Sequence, residues 1–180
     1  MHPYTNYFTV SNIQIKQITN LEDINIKNEP FTIWGKMIPS LKNGHWNYQI
    51  EKFKQSSMTC FPDEDYQYDK NAIYLAAYDK NKCIGLAILL KGMFKYLYLD
   101  DLKVSSAYRG QGIGSKLIAE CMKNAKGEGM QGIYTIAQDN NLSACLFYLK
   151  NGFEIGGFNN RDYRGTAQEE KADIYFYKDC

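Results

Sequence analysis

The fold of this chain is decided by the stretch Tyr108-Arg109-Gly110-Gln111-Gly112-Ile113-Gly114-Ser115-Lys116. It follows an apolar and aromatic segment, Tyr96 to Val104, that predicts a strand. It precedes residues 112–126, where apolar side chains recur every four positions, as on one face of a helix. Unpaired N–H groups at the start of a helix attract an anion, and glycines let that anion approach the backbone. With Arg109 as an added cation, the stretch predicts a cradle for a diphosphate.

The spacing of the glycines narrows the kind of cradle. A P-loop places Lys and then Ser or Thr after its last glycine, whereas here Ser115 precedes Lys116. The dinucleotide fingerprint also fails, because Ser115 follows Gly114 directly. The pattern that fits is Arg-x-x-Gly-x-Gly between a strand and a helix. A glycine-rich turn without a ligand is the alternative.

A second group of residues lies downstream on a predicted helix that Asn140 or Asn141 caps and that reaches Leu149. Within it, Asn141, Ala144 and Tyr148 are separated by three and four positions, so they share one face. Ala144 is small enough to let a cofactor arm pass. The Tyr148 phenol, with an ordinary pKa of ~10, suits a proton donor to a departing thiolate. Taken singly, Tyr148 would more often be a core aromatic.

The remaining elements predict an α/β protein, with residues 1–180 forming one domain. A hairpin, a strand–helix–strand crossover and a closing hairpin make a mixed sheet. Residues 1–60 are irregular, and Trp46 to Ser57 is interpreted as a helix. The predicted strands outside this region are Ala72 to Tyr78, Lys82 to Leu90, Tyr96 to Val104, Gly132 to Ala137, Phe153 to Phe158 and Ala172 to Tyr177.

Composition excludes several classes of protein. The net charge of +1 lacks the basic excess of a nucleic-acid-binding protein. The longest apolar run, Cys83 to Leu90, is too short to cross a membrane, and the start MHPYTNYFTV does not resemble a signal peptide. The five cysteines show no paired spacing, so we expect no disulfide framework, no metal site and a cytoplasmic location.

With these motifs in place, the chain resembles the GNAT superfamily of N-acetyltransferases and, more narrowly, its streptothricin N-acetyltransferase branch. The resemblance spans roughly residues 29–180. Arg109 to Gly114 and Asn141 to Phe153 look like the acetyl-CoA motifs of the superfamily. The branch is indicated by four segments: EPFTIWGKMIP (Glu29 to Pro39), YLDDLKV (Tyr98 to Val104), RGQGIGSKLI (Arg109 to Ile118) and AQDNNLSACLFYLKNGFEIG (Ala137 to Gly156).

The resemblance implies a GNAT fold, in which a mixed central β-sheet with a splayed strand pair is flanked by helices. Acetyl-CoA would enter where the strands Tyr96–Val104 and Gly132–Ala137 separate, and the backbone of Leu102 and Val104 would bind its pantetheine arm. The motifs and the resemblance together predict these cofactor-binding residues: Leu102, Val104, Arg109, Gly110, Gln111, Gly112, Ile113, Gly114, Ser115, Asn141, Ala144 and Tyr148.

By the same resemblance, the substrate would be an amine of the β-lysine moiety of streptothricin, leading to antibiotic resistance. Polyamines, aminoglycosides and protein lysines are alternative amines, and a non-catalytic acetyl-CoA-binding module is an alternative of another class. The predicted partner is thus a cationic small molecule, not a nucleic acid or a membrane. An exposed edge strand would also allow a homodimer.

For the catalytic residues the sequence offers Tyr148 as the acid and Asp100 as the carboxylate that handles the amine, with Asp101 as the alternative. Strict alternation along the strand places Asp100 with Tyr98 and Leu102 on one face, and Asp101 with Lys103 on the other. A strand bulge would exchange the two carboxylates. A solvated polar edge is the alternative for both.

Overall fold

A seven-stranded mixed sheet with two helices and a separate long hairpin makes up the fold. The computed structural model describes residues 12–180, so the amino-terminal residues considered above as a signal peptide lie outside it. None of the helices in this range is both long and apolar enough to span a membrane. The strands are β1 (Ile13–Gln17), β2 (Phe31–Lys42), β3 (His45–Thr59), β4 (Ile73–Asp79), β5 (Lys82–Lys91), β6 (Tyr96–Val104), β7 (Gly132–Gln138), β8 (Glu154–Asn159) and β9 (Asp173–Asp179). The helices are α1 (Ile113–Gly127) and α2 (Leu142–Lys150).

The central sheet has the strand order β1-β4-β5-β6-β7-β9-β8, and β6 with β7 is its parallel pair. This pair joins through the crossover helix α1, whose apolar stripe (Ile113, Leu117, Cys121 and Ala125) is buried against the sheet. The four-residue spacing in the sequence therefore predicted this face correctly. A smaller apolar cluster around Tyr74, Leu86 and Ile88 covers the opposite face of the sheet.

The two parallel strands separate after a short contact. Pairing of β6 with β7 extends only from Tyr96 opposite Gly132 to Tyr98 opposite Tyr134. Beyond it, the buried Thr135 hydroxyl donates to the Leu99 carbonyl over 2.9 Å. From there β7 continues along β9, while β6 continues along β5. The predicted splayed pair in a mixed α/β sheet is confirmed.

A bulge in β6 corrects the strict alternation expected from the sequence. Leu99 pairs with Leu89 of β5, but Asp101 pairs with the adjacent Ile88, so Asp100 is an extra residue. As a result, Leu99 and Leu102 both face α1, although they are three positions apart. The prediction that Asp100, Leu102 and Tyr98 share one face is therefore wrong. Asp101 and Lys103 project with Tyr98 toward the smaller cluster, because their β5 partners do so.

Residues 31–59, part of the segment predicted to be irregular, form a long hairpin. β2 and β3 pair from Lys42 opposite His45 to Phe31 opposite Thr59, with one shift of register between Ile33 and Gly35. The helix predicted for Trp46 to Ser57 is wrong. Asn43 and Gly44 form the two-residue turn with φ values of 52° and 79°, the positive pair that a type I′ hairpin turn requires.

Candidate active site

The separation of β6 from β7 opens a cleft of about 820 Å³. The glycine loop and the start of α1 line one part of it, and Phe61, Glu64 and Tyr66, from the segment 61–71 between β3 and β4, line another. Of the residues predicted from the sequence, those that line it are Asp100, Asp101, Leu102, Val104, Arg109, Gly110, Gly112, Ile113, Gly114, Ser115, Asn141, Ala144 and Tyr148. Gln111 is absent from this lining, and its side-chain amide donates to the Ala107 carbonyl over 3.4 Å.

The glycine loop presents open backbone toward the cleft. Gly110 and Gly112 have φ values of 76° and 77°, a region that residues with a Cβ rarely adopt. A Cβ at either position would meet no atom within 4 Å. The first helical hydrogen bond runs from the Lys116 N–H to the Gly112 carbonyl, so the preceding N–H groups of α1 have no helical acceptor. This geometry fits an anion cradle.

Arg109 holds the loop in place. Its Nε donates to the Val104 carbonyl over 2.9 Å, and Nη1 donates to the Pro30 carbonyl over 3.3 Å. Nη2 lies 3.9 Å from the carboxylate of Glu29, which also accepts the Ser106 N–H over 2.7 Å. The hydrogen bond from Ser106 lowers the pKa of Glu29. The Glu29-Pro30 pair quoted from the sequence thus fastens the glycine loop to the end of β6.

The free edge of β6 supplies main-chain groups to the cleft. The Ser105 N–H donates to the Ile84 carbonyl on the β5 side. Because successive residues of a strand direct their main-chain groups to opposite edges, those of Leu102 and Val104 face the gap toward β7. The Val104 carbonyl accepts Arg109, which leaves the Leu102 groups and the Val104 N–H. These can bind an extended amide-containing chain.

Helix α2 forms the facing wall. Asn141 is its N-cap, and its side chain accepts the Ala144 N–H over 3.3 Å. Phe147 was missed in the sequence, although it joins the two motifs: a Cβ on Gly114 would lie 2.9 Å from its ring. A side chain at Gly114 would therefore force the Phe147 ring to move, and the glycine allows α1 and α2 to pack closely here.

Tyr148 is buried among aromatic rings at the back of the cleft. Its side chain is 8% exposed, and its ring packs against Phe153 and Phe176 at centroid distances of 5.3 and 5.6 Å. Burial raises the pKa of the phenol to about 12, an effect that the neighbouring Thr135 hydroxyl partly offsets. The hydroxyl therefore keeps its proton at neutral pH.

Carboxylates gather at the other end of the cleft. Burial raises the pKa of Asp100, and the charge of Glu64 adds to the effect. Burial also raises the pKa of Asp101, while Lys103, 2.8 Å from its Oδ2, opposes the increase. Tyr66, whose phenol pKa is raised by burial and by these carboxylates, completes this wall. The arrangement can receive a cationic group.

Other polar residues that line the cleft were given no site role from the sequence. Tyr163 donates to Asp173 over 2.8 Å and accepts the Gln138 amide over 3.0 Å. Ser143 accepts the Trp34 indole N–H over 2.8 Å. These side chains come from β7, β9, α2 and a late loop, so only the folded sheet brings them together. Tyr66 lines the cleft, whereas Trp34, Trp46 and Tyr68 are absent from its lining.

A cysteine nucleophile is absent from the described lining of this cleft. The five cysteines are free, and none lines the cleft within residues 12–180. Burial raises the pKa of Cys121 and of Cys145 to about 12. Both are therefore neutral thiols at physiological pH and poor nucleophiles. The described part of the chain also holds no cluster of metal-ligating side chains.

Comparison with known proteins identifies the family. The model of the acetyltransferase (GNAT) family matches residues 38–153, more than half of the chain. The chain is a GNAT acetyltransferase. The resemblance drawn from its motifs is thereby confirmed, together with acetyl-CoA as its co-substrate and N-acetylation as its reaction class.

Individual relatives cover nearly all of this acetyltransferase. It is 32% identical to streptothricin acetyltransferase A of Bacillus subtilis (strain 168), over 88% of this chain and 94% of the relative. A Bacillus anthracis (str. Ames) protein provisionally described as a streptothricin acetyltransferase, solved with acetyl coenzyme A, superimposes with a TM-score of 0.83 at 30% identity. That match covers 93% of this chain and 99% of the other. A nourseothricin acetyltransferase shares the fold, with a TM-score of 0.78 at 19% identity over 93% of this chain and 98% of the other.

The cleft of this acetyltransferase fits the co-substrate that the family uses. Coenzyme A carries a diphosphate and an amide-containing pantetheine arm, which correspond to the open N–H groups of the glycine loop and the free edge of β6. At Gly110 and Gly112 no atom lies within 4 Å of where a Cβ would be, so the backbone there is open to a phosphate. The remaining, carboxylate-rich end of the cleft is available to the acetyl acceptor.

Proposed function

We propose that this acetyltransferase transfers the acetyl group of acetyl-CoA to an amine of streptothricin, in its β-lysine moiety, and so inactivates the antibiotic. The observation that carries this proposal is the cleft itself, which the open glycine loop lines together with carboxylates and tyrosines. The 32% identity to a streptothricin acetyltransferase over nearly the full chain supports the choice of amine.

The acceptor end of the cleft favours a cation. Asp100, Asp101 and Glu64 line it with Lys103, so the carboxylates outnumber the ammonium. An anionic cleft raises the local concentration of a polycation and speeds its encounter, more strongly at low salt. The tyrosine rings of Tyr66 and Tyr98 can add cation–π attraction.

The proposed reaction is direct attack by the amine. Acetyl-CoA supplies a thioester, whose sulfur departs with the electrons of the broken C–S bond. The N–H groups on the free edge of β6 polarise the thioester carbonyl. An Asp100 or Asp101 carboxylate accepts the proton that the amine must lose as its N–C bond forms, and the Tyr148 phenol donates a proton to the sulfur. A covalent acetyl-cysteine route lacks a thiol in the cleft.

The decisive experiment measures thiol release by the purified protein with acetyl-CoA and a panel of amines. The panel contains streptothricin, spermidine, an aminoglycoside and a lysine peptide, and mass spectrometry locates the added acetyl group. We expect streptothricin to give the highest kcat/KM and to carry the acetyl group on its β-lysine. A higher kcat/KM for another amine would reassign the substrate within the family.

A binding experiment separates this proposal from a module without activity. Calorimetric titration with acetyl-CoA should show saturable binding, since the N–H groups at the start of α1 have no helical acceptor and the loop backbone before them is open. Saturable binding without thiol release from any amine of the panel would indicate a non-catalytic acetyl-CoA-binding module. Absence of binding would contradict the roles given to the glycine loop and β6.

The proposal extends to cellular context and assembly. We propose that residues 1–180 act as one domain in the cytoplasm, consistent with free cysteines in the described chain and with the use of acetyl-CoA. We also propose a homodimer, since β3 has one unpaired edge in the described structure and the hairpin exposes large apolar side chains. We expect neither a nucleic acid nor a membrane as a partner.

A further inference from the structure

Lys103 is a nearly buried lysine with no part in the reaction outlined above. Its side chain is 12% exposed, and its ammonium lies 2.8 Å from Asp101 Oδ2 and 2.9 Å from Glu64 Oε2. It also donates to Asn28 Oδ1 over 3.1 Å and to the Ile26 carbonyl over 3.4 Å. Burying an ammonium is costly unless its donors are satisfied, and here several acceptors surround it.

The acceptors of Lys103 belong to segments that are distant in sequence. Asn28 bridges them, because its side-chain amide donates to Glu64 over 2.8 Å and to the Pro62 carbonyl over 2.7 Å. Its N–H donates to Asp63 over 2.8 Å. Lys103 therefore ties both the segment 26–29 and the loop 61–71 to β6, and with them the wall of the cleft that contains Tyr66.

Of the three carboxylates near Lys103, two contact its ammonium and one does not. Glu64 and Asp101 both contact the ammonium, whereas Asp100 forms neither an ion pair nor a hydrogen bond within residues 12–180. The β6 bulge directs Asp100 and Asp101 differently, although they are adjacent. Asp100 is thus the carboxylate of this group that remains available for a ligand.

We propose that Lys103 is a positioning residue for the amine: it fixes Asp101 and Glu64 in the wall of the cleft, so that Asp100 receives the substrate ammonium. This inference rests on the proposed function and goes beyond it. It assigns separate roles to two adjacent carboxylates and gives the loop 61–71 its anchor at the acceptor site.

Removal of the Lys103 ammonium should raise the pKa values of the neighbouring carboxylates. The ionisable groups that face it or neighbour it are Glu64, Asp100, Asp101 and the Tyr66 phenol. Lys103 holds the pKa of Asp101 below the value that burial alone would give. Without it, the carboxylates repel one another, the pKa values of the coupled group rise, and activity that needs an ionised carboxylate is lost at a higher pH.

The test compares Lys103→Met with Lys103→Arg, using the amine that the wild-type protein acetylates best. For Lys103→Met we expect KM for the amine to rise about tenfold. The acidic limb of the profile of kcat/KM against pH should move upward, with acetyl-CoA affinity by calorimetry unchanged. Lys103→Arg should restore most of both properties. Lys123→Met is the matched control, because Lys123 is paired with Glu120 at 2.8 Å on the exposed side of α1.

Two results would overturn the inference. One is an unchanged KM and pH profile in Lys103→Met. The other is that both Lys103 variants show the same rise in KM for the amine, together with weaker acetyl-CoA binding and lower thermal stability. A purely structural lysine would give that result. If Lys103→Met does not fold, Glu64→Gln breaks the contact to the loop and should still raise KM for the amine; an unchanged KM there counts against the inference. No turnover of any amine by the wild-type protein would contradict both the proposed function and this inference.

Discussion

At the scale of single residues, the proton on Tyr148 can be tested apart from its ring. Tyr148→Phe keeps the packing against Phe153 and Phe176 and removes only the hydroxyl. Because the pKa of the phenol is raised to about 12, the acid form is present at all neutral pH values, and its loss should lower kcat about 10²-fold. Calorimetry should find acetyl-CoA affinity unchanged.

The control for this variant is Tyr96→Phe, which removes a hydroxyl that donates to Asp179 over 2.7 Å outside the cleft lining. It should retain the wild-type kcat. If Tyr148→Phe also retains it, Tyr148 is a core aromatic and another group protonates the sulfur.

The two adjacent carboxylates can be distinguished by pH dependence. Burial raises the pKa of Asp100, so activity that needs its ionised form should fall as pH decreases through a value above the usual ~3.9. Asp100→Asn should lower kcat/KM for the amine by at least about tenfold and remove this acidic limb. Asp101→Asn is the comparison, and the initial-rate profile against pH is the measurement. If only Asp101→Asn has these effects, Asp101 is the base.

This choice between neighbours shows where sequence reasoning stops at the residue scale. Both carboxylates and Tyr148 were predicted as site residues from their type and spacing. Which carboxylate faces the ligand depends on a bulge, and the bulge arises from how β6 pairs with β5. The sequence of one strand does not by itself determine its register with the neighbouring strand.

At the scale of secondary structure, a substitution in the glycine loop should weaken acetyl-CoA binding while the protein still folds. Gly112→Ala places a Cβ in open space at a φ of 77°, so the expected cost is backbone strain of about 1 kcal/mol. The same Cβ would lie where a diphosphate approaches the N–H groups of α1. We expect acetyl-CoA affinity, measured by calorimetry, to fall at least about tenfold.

Gly129→Ala is the matched control at the other end of α1. Gly129 has a φ of 68° and likewise no atom within 4 Å of an added Cβ. Thermal unfolding should show a similar small destabilisation for both variants, whereas only Gly112→Ala should bind acetyl-CoA weakly. Equal affinity in the two variants would argue against a diphosphate at the glycine loop.

The strand β3 was wrongly predicted as a helix, and its pattern of apolar residues explains why. In β3, the apolar residues Trp46, Ile50 and Phe53 are four and three positions apart, a spacing also typical of a helix. The stronger signal was the Asn43-Gly44 pair, whose tolerance of positive φ suits a two-residue turn. Pairing with β2 along most of its length outweighs the local pattern.

At the scale of the whole molecule, the crossover from β6 through α1 to β7 was predictable. A helix, recognised by its four-residue apolar repeat, lies between two apolar strands in the sequence, and few chain topologies can connect such elements. The depth of the cleft was not. It depends on where the pairing of β6 with β7 ends, at Tyr98 and Tyr134, and on the loop 61–71 that closes the acceptor end. Both are long-range contacts, so the sequence predicted more of the residues that line the cleft near the glycine loop than near the carboxylates.

The proposed homodimer makes the last prediction at this scale. Cross-strand pairing places Leu41, Tyr48 and Ile50 on one face of the hairpin. Met37, opposite Ile50, is buried in the core of the same chain, whereas the three residues themselves are exposed in the described structure. Two copies related by a two-fold axis could cover this face and pair their β3 edges. Tyr48→Glu puts a charge into that contact, away from the buried Met37, and should shift the mass measured by light scattering from dimer to monomer. Gln49→Glu adds the same charge on the opposite face and should leave the dimer intact, whereas a wild-type protein that stays monomeric over a range of concentrations would rule the contact out.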